Sequence, residues 1–279
     1  MSGSLDACAR RLIALALEED VGPGDVTSVL VAPDALGAAV FRAREPMVLA
    51  GTEAVREVFR QLDPAVQVDF HQGDGQRAVA AQVLGHLQGP VRGMLTGERT
   101  ALNLLQRLSG IASAARRAQD AVGPHPTQIV DTRKTTPGLR SLEKAAVRAG
   151  GAANHRVGLF DGVLIKDNHI AALGGVKAAV ERARAEIHHL LRIEVECDDL
   201  DQVDEAVAAG ADVILLDNMS DETMSEALGR INGRALTEAS GGISLERIPS
   251  IAALGVNFIS MGALTQSAPA VDIGLDWDG

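Results

Sequence analysis

Arg133 and Lys134, Arg156 directly after His155, and Lys166 three residues before His169 place four cations and two imidazoles in one short stretch of chain. Between Asp131 and His169 there are seven Lys and Arg against four carboxylates, in a protein whose formal net charge is −11. Cations gathered against the global balance point to an anionic ligand. Arg140, Lys144 and Arg148 fall at helical spacing and read equally well as a solvated helix face. Arg133, Lys134, Arg156 and Lys166 do not share that spacing. Arg133, Arg156 and, earlier in the chain, Arg99 offer planar guanidinium forks for carboxylate or phosphate, each charge-assisted bond contributing about 1.5–3 kcal/mol when shielded from water.

The elements that must position these groups show in the hydropathy pattern. Short apolar runs recur at intervals of about twenty to thirty-five residues: 128–132, 162–166, 191–197, 213–217, 235–240 and 257–262, with Ala-rich helical stretches between them. That is the βα repeat of a parallel sheet or barrel. The runs end, in order, on Arg133 and Lys134, Lys166, Glu196, Asp217, Ser240 with Gly241 and Gly242, and Ser260 with Gly262. In a (β/α) barrel such ends converge on one face, where the fold carries its chemistry. The backbone of Ser240-Gly241-Gly242, leading into a helix expected over about 245–253, suits a phosphate or a plain tight turn. Glu196 and Asp217 offer hard oxygens for magnesium or ribose hydroxyls, while Asp217 alone reads as readily as a helix cap before Met219. His155 lies in a Gly/Ala-rich loop that favours ligand contact, and His169 reads equally as a structural histidine. No spacing suggests a hydrolytic triad or a zinc site.

Upstream, the chain reads as α+β. A helix is expected over Leu5 to Glu19, with Leu5, Cys8, Leu12 and Leu15 on its apolar face, ended by Gly22-Pro23-Gly24-Asp25. Strands are expected over 38–43, 65–70 and 78–84, with a helix over 52–61, and a buried helix over 98–110 that bridges two domains. At 279 residues, two domains are expected. Aromatic residues make up only 2% of the chain and Tyr is absent, and the sequence pI is near 5.1. Nucleic-acid binding, which needs basic surface or stacking faces, is therefore not expected. No apolar run reaches the roughly 18 residues of a membrane span, and the N-terminus has no signal-peptide pattern. Cys8 and Cys197 lie far apart, which favours a reduced, cytoplasmic protein.

These motifs, taken in order, resemble quinolinate phosphoribosyltransferase. The resemblance runs through Glu19-Asp20-Val21-Gly22 and Gly24-Asp25-Val26-Thr27, then 97–103 and 106–112, Asp131 to Arg140, Asn154-His155-Arg156, and 164–170. It continues through Glu194-Val195-Glu196, 216–219, 238–242 and Gly262-Ala263-Leu264-Thr265. It implies an α/β protein with an N-terminal α/β sandwich (1–112), an incomplete (β/α) barrel of the type II phosphoribosyltransferase kind (113–265) and a tail (266–279) returning to the first domain. It further implies homodimers or hexamers, with sites shared between one subunit's barrel and its neighbour's N-terminal domain. The implied reaction joins quinolinate to 5-phosphoribosyl 1-pyrophosphate (PRPP), giving nicotinate mononucleotide, pyrophosphate and CO2, in NAD biosynthesis. By resemblance, Arg133, Arg156 and the neighbour's Arg99 hold the ring carboxylates, with Lys134, Thr135 and His155 alongside. Lys134 and Lys166 face PRPP, Glu196 and Asp217 meet its ribose and Mg2+, and Ser240, Gly241, Gly242, Ser260, Met261 and Gly262 take the phosphate. Lys166, Glu196 and Asp217 are the implied catalytic residues, and no organic cofactor is implied. Ala145-Ala146, Ala149 and the Gly150 to Ala153 segment are smaller than the family pattern at this place. Three alternatives stand beside this one: a sister transferase associated with molybdenum uptake, a barrel lyase using Lys166 as a Schiff-base nucleophile, and a catalytically dead metabolite-binding protein, against which the retained charged strand ends speak.

Overall fold

The computed structural model describes residues 5–277, so residues 1–4 of the expected first domain and 278–279 of the expected tail lie outside the described residues. The chain forms two units. One contains the described residues to Arg116, Thr135–Gly151 and the residues from Leu264; the other contains Arg117–Lys134 and Ala152–Ala263. In chain order the elements begin with α1 (Ala7–Val21), β1 (Leu36–Ala43), β2 (Met47–Val48), α2 (Thr52–Leu62), β3 (Gln67–Phe70), β4 (Arg77–Ala78), β5 (Val83–Pro90) and α3 (Val91–Ala121). There follow β6 (Gln128–Val130), α4 (Arg140–Ala149), β7 (Val163–Ile165), α5 (Asp167–Leu173), α6 (Val176–Glu186), β8 (Ile193–Cys197), α7 (Leu200–Ala209) and β9 (Val213–Asp217). The last are α8 (Asp221–Ile231), β10 (Leu236–Ser240), α9 (Ile248–Leu254), β11 (Phe258–Ser260), α10 (Ala263–Gln266) and β12 (Ile273–Trp277).

In the first unit, α1 starts where the Asp6 carboxylate accepts the Ala9 N–H at 2.7 Å, and ends at Gly22. Its buried stripe is Ala9, Ile13 and Leu17, whereas Cys8 and Leu15 are exposed, so the face expected from Leu5, Cys8, Leu12 and Leu15 is corrected by about a third of a turn's rotation. The stripe that wins is the one meeting α2 and α4. The sheet runs β12-β1-β5-β3, all antiparallel, with β12 paired to β1 from Ala39↔Trp277 to Ala43↔Ile273. The expected strand over 78–84 is two pieces instead: β4 ends at Ala78, Ala81 turns with φ +67°, and β5 begins at Val83. The turn is closed by Ala81 N–H to Ala43 C=O at 2.8 Å, which an alternating apolar run does not reveal.

Helix α3 begins at Val91, well before the expected start, and passes straight through Gly93 and Gly97. Both glycines are packing residues. A Cβ at Gly97 would lie 2.6 Å from the Phe59 ring of α2, and one at Gly93 would lie 2.5 Å from Asp63, so close helix approach outweighs the roughly 1 kcal/mol that Gly costs in a helix. The turn after β6 is held from this unit's own side. Fully buried Glu143 accepts from Thr136 N–H (3.1 Å), Thr136 hydroxyl (2.9 Å) and the Arg107 guanidinium (3.0 Å).

The second unit is a six-stranded parallel sheet, ordered β6-β11-β10-β9-β8-β7. All six strands fall on the apolar runs of the sequence. Strands β6 and β7 are the two edges, and they are not paired with each other, which leaves the barrel incomplete. On β8 the residues Ile193, Val195 and Cys197 are fully buried against α6 and α7, so the two-residue period sends Glu194 and Glu196 to the opposite, lumen face. Burial pushes the Cys197 thiol up to about 12, the behaviour of an inert core cysteine, while Cys8 is an exposed free thiol. No described helix is long and apolar enough to cross a membrane.

Candidate active site

The lumen of the second unit carries its polar groups in two tiers. The upper tier stands at the C-terminal ends of the strands. The Lys166 ammonium, just past β7, is ion-paired to the Glu196 carboxylate of β8. Asp217, at the end of β9, lies in register with Ser240 at the end of β10. Asp217 is not the cap of α8, because the Ser220 hydroxyl takes the Thr223 N–H; its carboxylate instead accepts from Asn218 Nδ2 at 2.5 Å. Gly241 and Gly242 turn the chain with φ +96° and +58°. A Cβ at Gly241 would sit 2.2 Å from Asn218 Oδ1, so this turn and the Asp217-Asn218 turn can adjoin only without a side chain there. The helix expected from 245 is a 3₁₀ turn followed by α9 from Ile248.

Ser260 and Met261 are more occupied than their positions suggested. The buried Ser260 hydroxyl points to Ala239 C=O (3.5 Å), and the Met261 N–H donates to Val130 C=O (3.0 Å). His169 resolves to a structural role, its Nδ1 accepting the Lys166 N–H at 3.0 Å where α5 begins. Lys134 is exposed, with its backbone N–H on the Thr132 hydroxyl at 3.0 Å. Arg99, exposed on α3, and Thr135, whose hydroxyl accepts from Arg140 Nε at 3.0 Å, belong to the first unit.

The two carboxylates of the lower tier were not foreseen. Glu194 on β8 and Glu238 on β10 are 6% and 3% exposed, one layer beneath Glu196 and Ser240, and both meet His155. His155 Nε2 lies 2.8 Å from Glu194 Oε2 and 3.8 Å from Glu238 Oε2. Burial, and after it the negative charge of Glu194, push the Glu238 carboxyl up to about 8, so Glu238 is protonated at neutral pH. Charged residues inside strands rather than at their C-terminal ends were the available signal, since such residues persist only where they share a lumen and a partner. One His nitrogen and two carboxylates within 4.8 Å of one another also resemble a cation site. The tautomer argues otherwise: His155 Nδ1 accepts the Arg156 N–H at 2.8 Å, which leaves the ring proton on Nε2, where it points to Glu194 and blocks ligation.

Arg156 completes this tier. Its guanidinium donates to Gly162 C=O at 3.1 Å, and burial together with the nearby Arg133 charge lowers its pKa from the usual arginine value. Guanidinium groups in partly desolvated surroundings suit an anionic group. A cavity of about 400 Å³ adjoins Arg156, lined also by His155, Glu194 and Glu238. It reaches Val163, Val213 and Phe258, the first residues of their strands, so it opens beneath the upper tier.

Comparison with known proteins shows the family to which this fold belongs. The family described as quinolinate phosphoribosyl transferase, N-terminal domain, matches residues 25–109, and its C-terminal domain matches residues 111–276. A probable nicotinate-nucleotide pyrophosphorylase (carboxylating) of Bacillus subtilis is 46% identical over 258 residues, covering 92% of this chain and 89% of that protein. A mitochondrial quinolinate phosphoribosyltransferase (decarboxylating) of Nicotiana tabacum is 39% identical, covering 96% and 82%. The solved nicotinate-nucleotide pyrophosphorylase of Francisella tularensis superposes with a TM-score of 0.95 at 40% identity, covering 99% of this chain and 98% of that one. Two matching domains in the right order, and relatives alike over nearly their whole length, show that the chain belongs to the quinolinate phosphoribosyltransferase family.

Proposed function

We propose that this protein transfers the phosphoribosyl group of PRPP to quinolinate, releasing pyrophosphate and CO2 and forming nicotinate mononucleotide. The observation that carries this reading is the charged rim of one parallel sheet, where Lys166 is ion-paired to Glu196 and Asp217 lies in register with Ser240, above the partly buried guanidinium of Arg156. Arg133 and Arg156 hold the ring carboxylates, with Lys134 and Thr135 alongside, His155 beside Arg156, and the partner subunit's Arg99 closing the site in a homodimer or a hexamer of dimers. The ring nitrogen then attacks the anomeric carbon as pyrophosphate leaves. Glu196 and Asp217 bind the ribose hydroxyls and stabilise positive charge developing there, and Lys166, which pairs with Glu196, turns to the departing phosphates. The Ser240-Gly241-Gly242 turn takes the 5-phosphate, with Ser260 to Gly262 beside it. Once ribosylated, the cationic ring stabilises the electron pair left by the breaking C–CO2 bond, and the ring carbon then takes a proton from water, so this step asks the protein chiefly for orientation.

The all-oxygen donor set of Glu196 and Asp217, partly exposed at adjacent strand ends, fits Mg2+ arriving with PRPP. Bound there, the ion would neutralise charge on the pyrophosphate. The setting is cytoplasmic, where both substrates are small anions. The test is CO2 release from carboxyl-labelled quinolinate, with and without PRPP and magnesium. Release that depends on both supports the reading; none, or a borohydride-trapped adduct on Lys166, rejects it in favour of another transferase substrate or a lyase.

A further inference from the structure

The buried network beneath Arg156 has a direction. Asp131, fully buried at the end of β6, accepts Asn154 Nδ2 at 2.6 Å with one carboxylate oxygen and the His155 N–H at 2.9 Å with the other. Ala153 extends the edge of β6, its N–H donating to Ile129 C=O at 2.8 Å and its C=O accepting from the Asp131 N–H at 3.2 Å. The backbone from Ala153 to His155 is thereby tied to the sheet. The imidazole of His155 then joins the next residue to the far wall of the lumen: Nδ1 accepts the Arg156 N–H at 2.8 Å, and Nε2–H donates to Glu194 Oε2 at 2.8 Å. Both ring nitrogens are thus engaged by protein.

We infer that Asp131, His155 and Glu194 are positioning residues for quinolinate, a relay that sets the Arg156 guanidinium from β8 through the imidazole, with His155 itself not touching the substrate. This rests on the reading of Arg156 as a carboxylate-holding residue. The physical ground is that a guanidinium on a loop moves with its backbone, and fixing the peptide that leads into Arg156 narrows the space its side chain can reach before the ligand arrives. The relay also explains why a carboxylate lies so deep in the lumen. Glu194 orients the ring through Nε2–H, and its charge offsets that of Arg156.

The two halves of the relay can be cut separately. His155→Gln keeps a donor near the Nε2 place and loses the Nδ1 acceptor; His155→Asn does the reverse. Glu194→Leu removes the acceptor and leaves the ring; Glu194→Gln restores an acceptor oxygen. Steady-state kinetics with quinolinate and PRPP varied in turn should show the quinolinate KM raised by about tenfold or more in His155→Gln, His155→Asn and Glu194→Leu, with the PRPP KM within about twofold. Glu194→Gln should stay within about threefold of the unaltered enzyme. Long-range 15N–1H spectra of histidine-labelled enzyme should show the Nε2–H tautomer of His155 before and after quinolinate is added.

A direct contact between His155 and quinolinate predicts otherwise: Glu194→Leu, which keeps the imidazole, would be harmless, and the tautomer would change on binding. Either result overturns the inference alone. An Arg156→Ala variant with unchanged quinolinate KM would instead remove the reading of Arg156, and this inference with it.

Discussion

Replacing Glu238 by Gln should stabilise the protein, and by an amount that depends on pH. Glu238 is 3% exposed, shares the lumen with Glu194, and keeps its proton to about pH 8 against an ordinary 4.5. Between those values the folded protein holds a proton that the unfolded chain has released. Stability therefore falls as pH rises through this window, by up to about 1.4 kcal/mol per unit. Below the ordinary value both states are protonated and nothing is lost; above about 8 both are ionised and the cost levels off. At pH 7 the accumulated cost is about 3 kcal/mol. Gln keeps the shape and neutrality of the protonated acid and carries no such cost. Scanning calorimetry of the substrate-free protein at a series of pH values should show Glu238→Gln and the unaltered chain melting together near pH 4.5 and separating steadily above it. At about 2–4 °C per kcal/mol the gap reaches about 6–12 °C at pH 7. A gap that stays constant from pH 5 to 8, or a variant less stable at pH 8, would refute a neutral Glu238 in the folded state.

Glu143→Ala strips a fully buried carboxylate from Arg107 and Thr136, and should cost about 3–5 kcal/mol in urea unfolding; a loss below about 1 kcal/mol would show that the loop stands without it. Gly241→Ala forces a side chain onto Asn218 at a φ of +96°, and should raise the PRPP KM by about tenfold or more while quinolinate binding by calorimetry changes little; unaltered PRPP kinetics would take the glycine turn out of the phosphate site. Arg133→Ala should raise the quinolinate KM by about 10–150-fold, the loss of one charge-assisted contact, and equal kinetics would remove it from the site. Mixing inactive Arg99→Ala and Lys166→Ala subunits should return about a quarter of the normal rate in statistically mixed dimers, and verified mixed dimers without activity would reject a shared site.

The parts of this molecule visible in its sequence are those where one residue type has one physical use. An apolar run of five ending in a charged or Gly-rich residue is economical only as a strand delivering that residue to a common end, so all six barrel strands and the Lys166, Glu196, Asp217 and Ser240 tips were legible. Where a residue type has two uses, the chain alone is ambiguous. Gly97 reads as a helix break yet serves as a contact point for Phe59, and the choice depends on a helix forty residues away in the chain. The apolar residues of α1 offer two stripes, and the neighbours α2 and α4 select one.

His155 shows the deeper reason that local reading stops. Its type and its place beside Arg156 suggest a ligand-binding imidazole, and nothing nearby in sequence shows that β8 takes one nitrogen and the following peptide takes the other. What sequence does hold is a conflict: Glu194 and Glu238 are charged residues inside strands rather than at their C-terminal ends. Such a conflict must be resolved by a partner, by a proton or by both. Here the His155 ring supplies the partner and Glu238 retains a proton. The outcome has a consequence for specificity. Under the proposed function, ionisation of both acids would offset the charge of Arg133 and Arg156 and weaken their attraction for a dianion; with Glu238 neutral, one carboxylate remains to orient the imidazole and the net charge there stays positive.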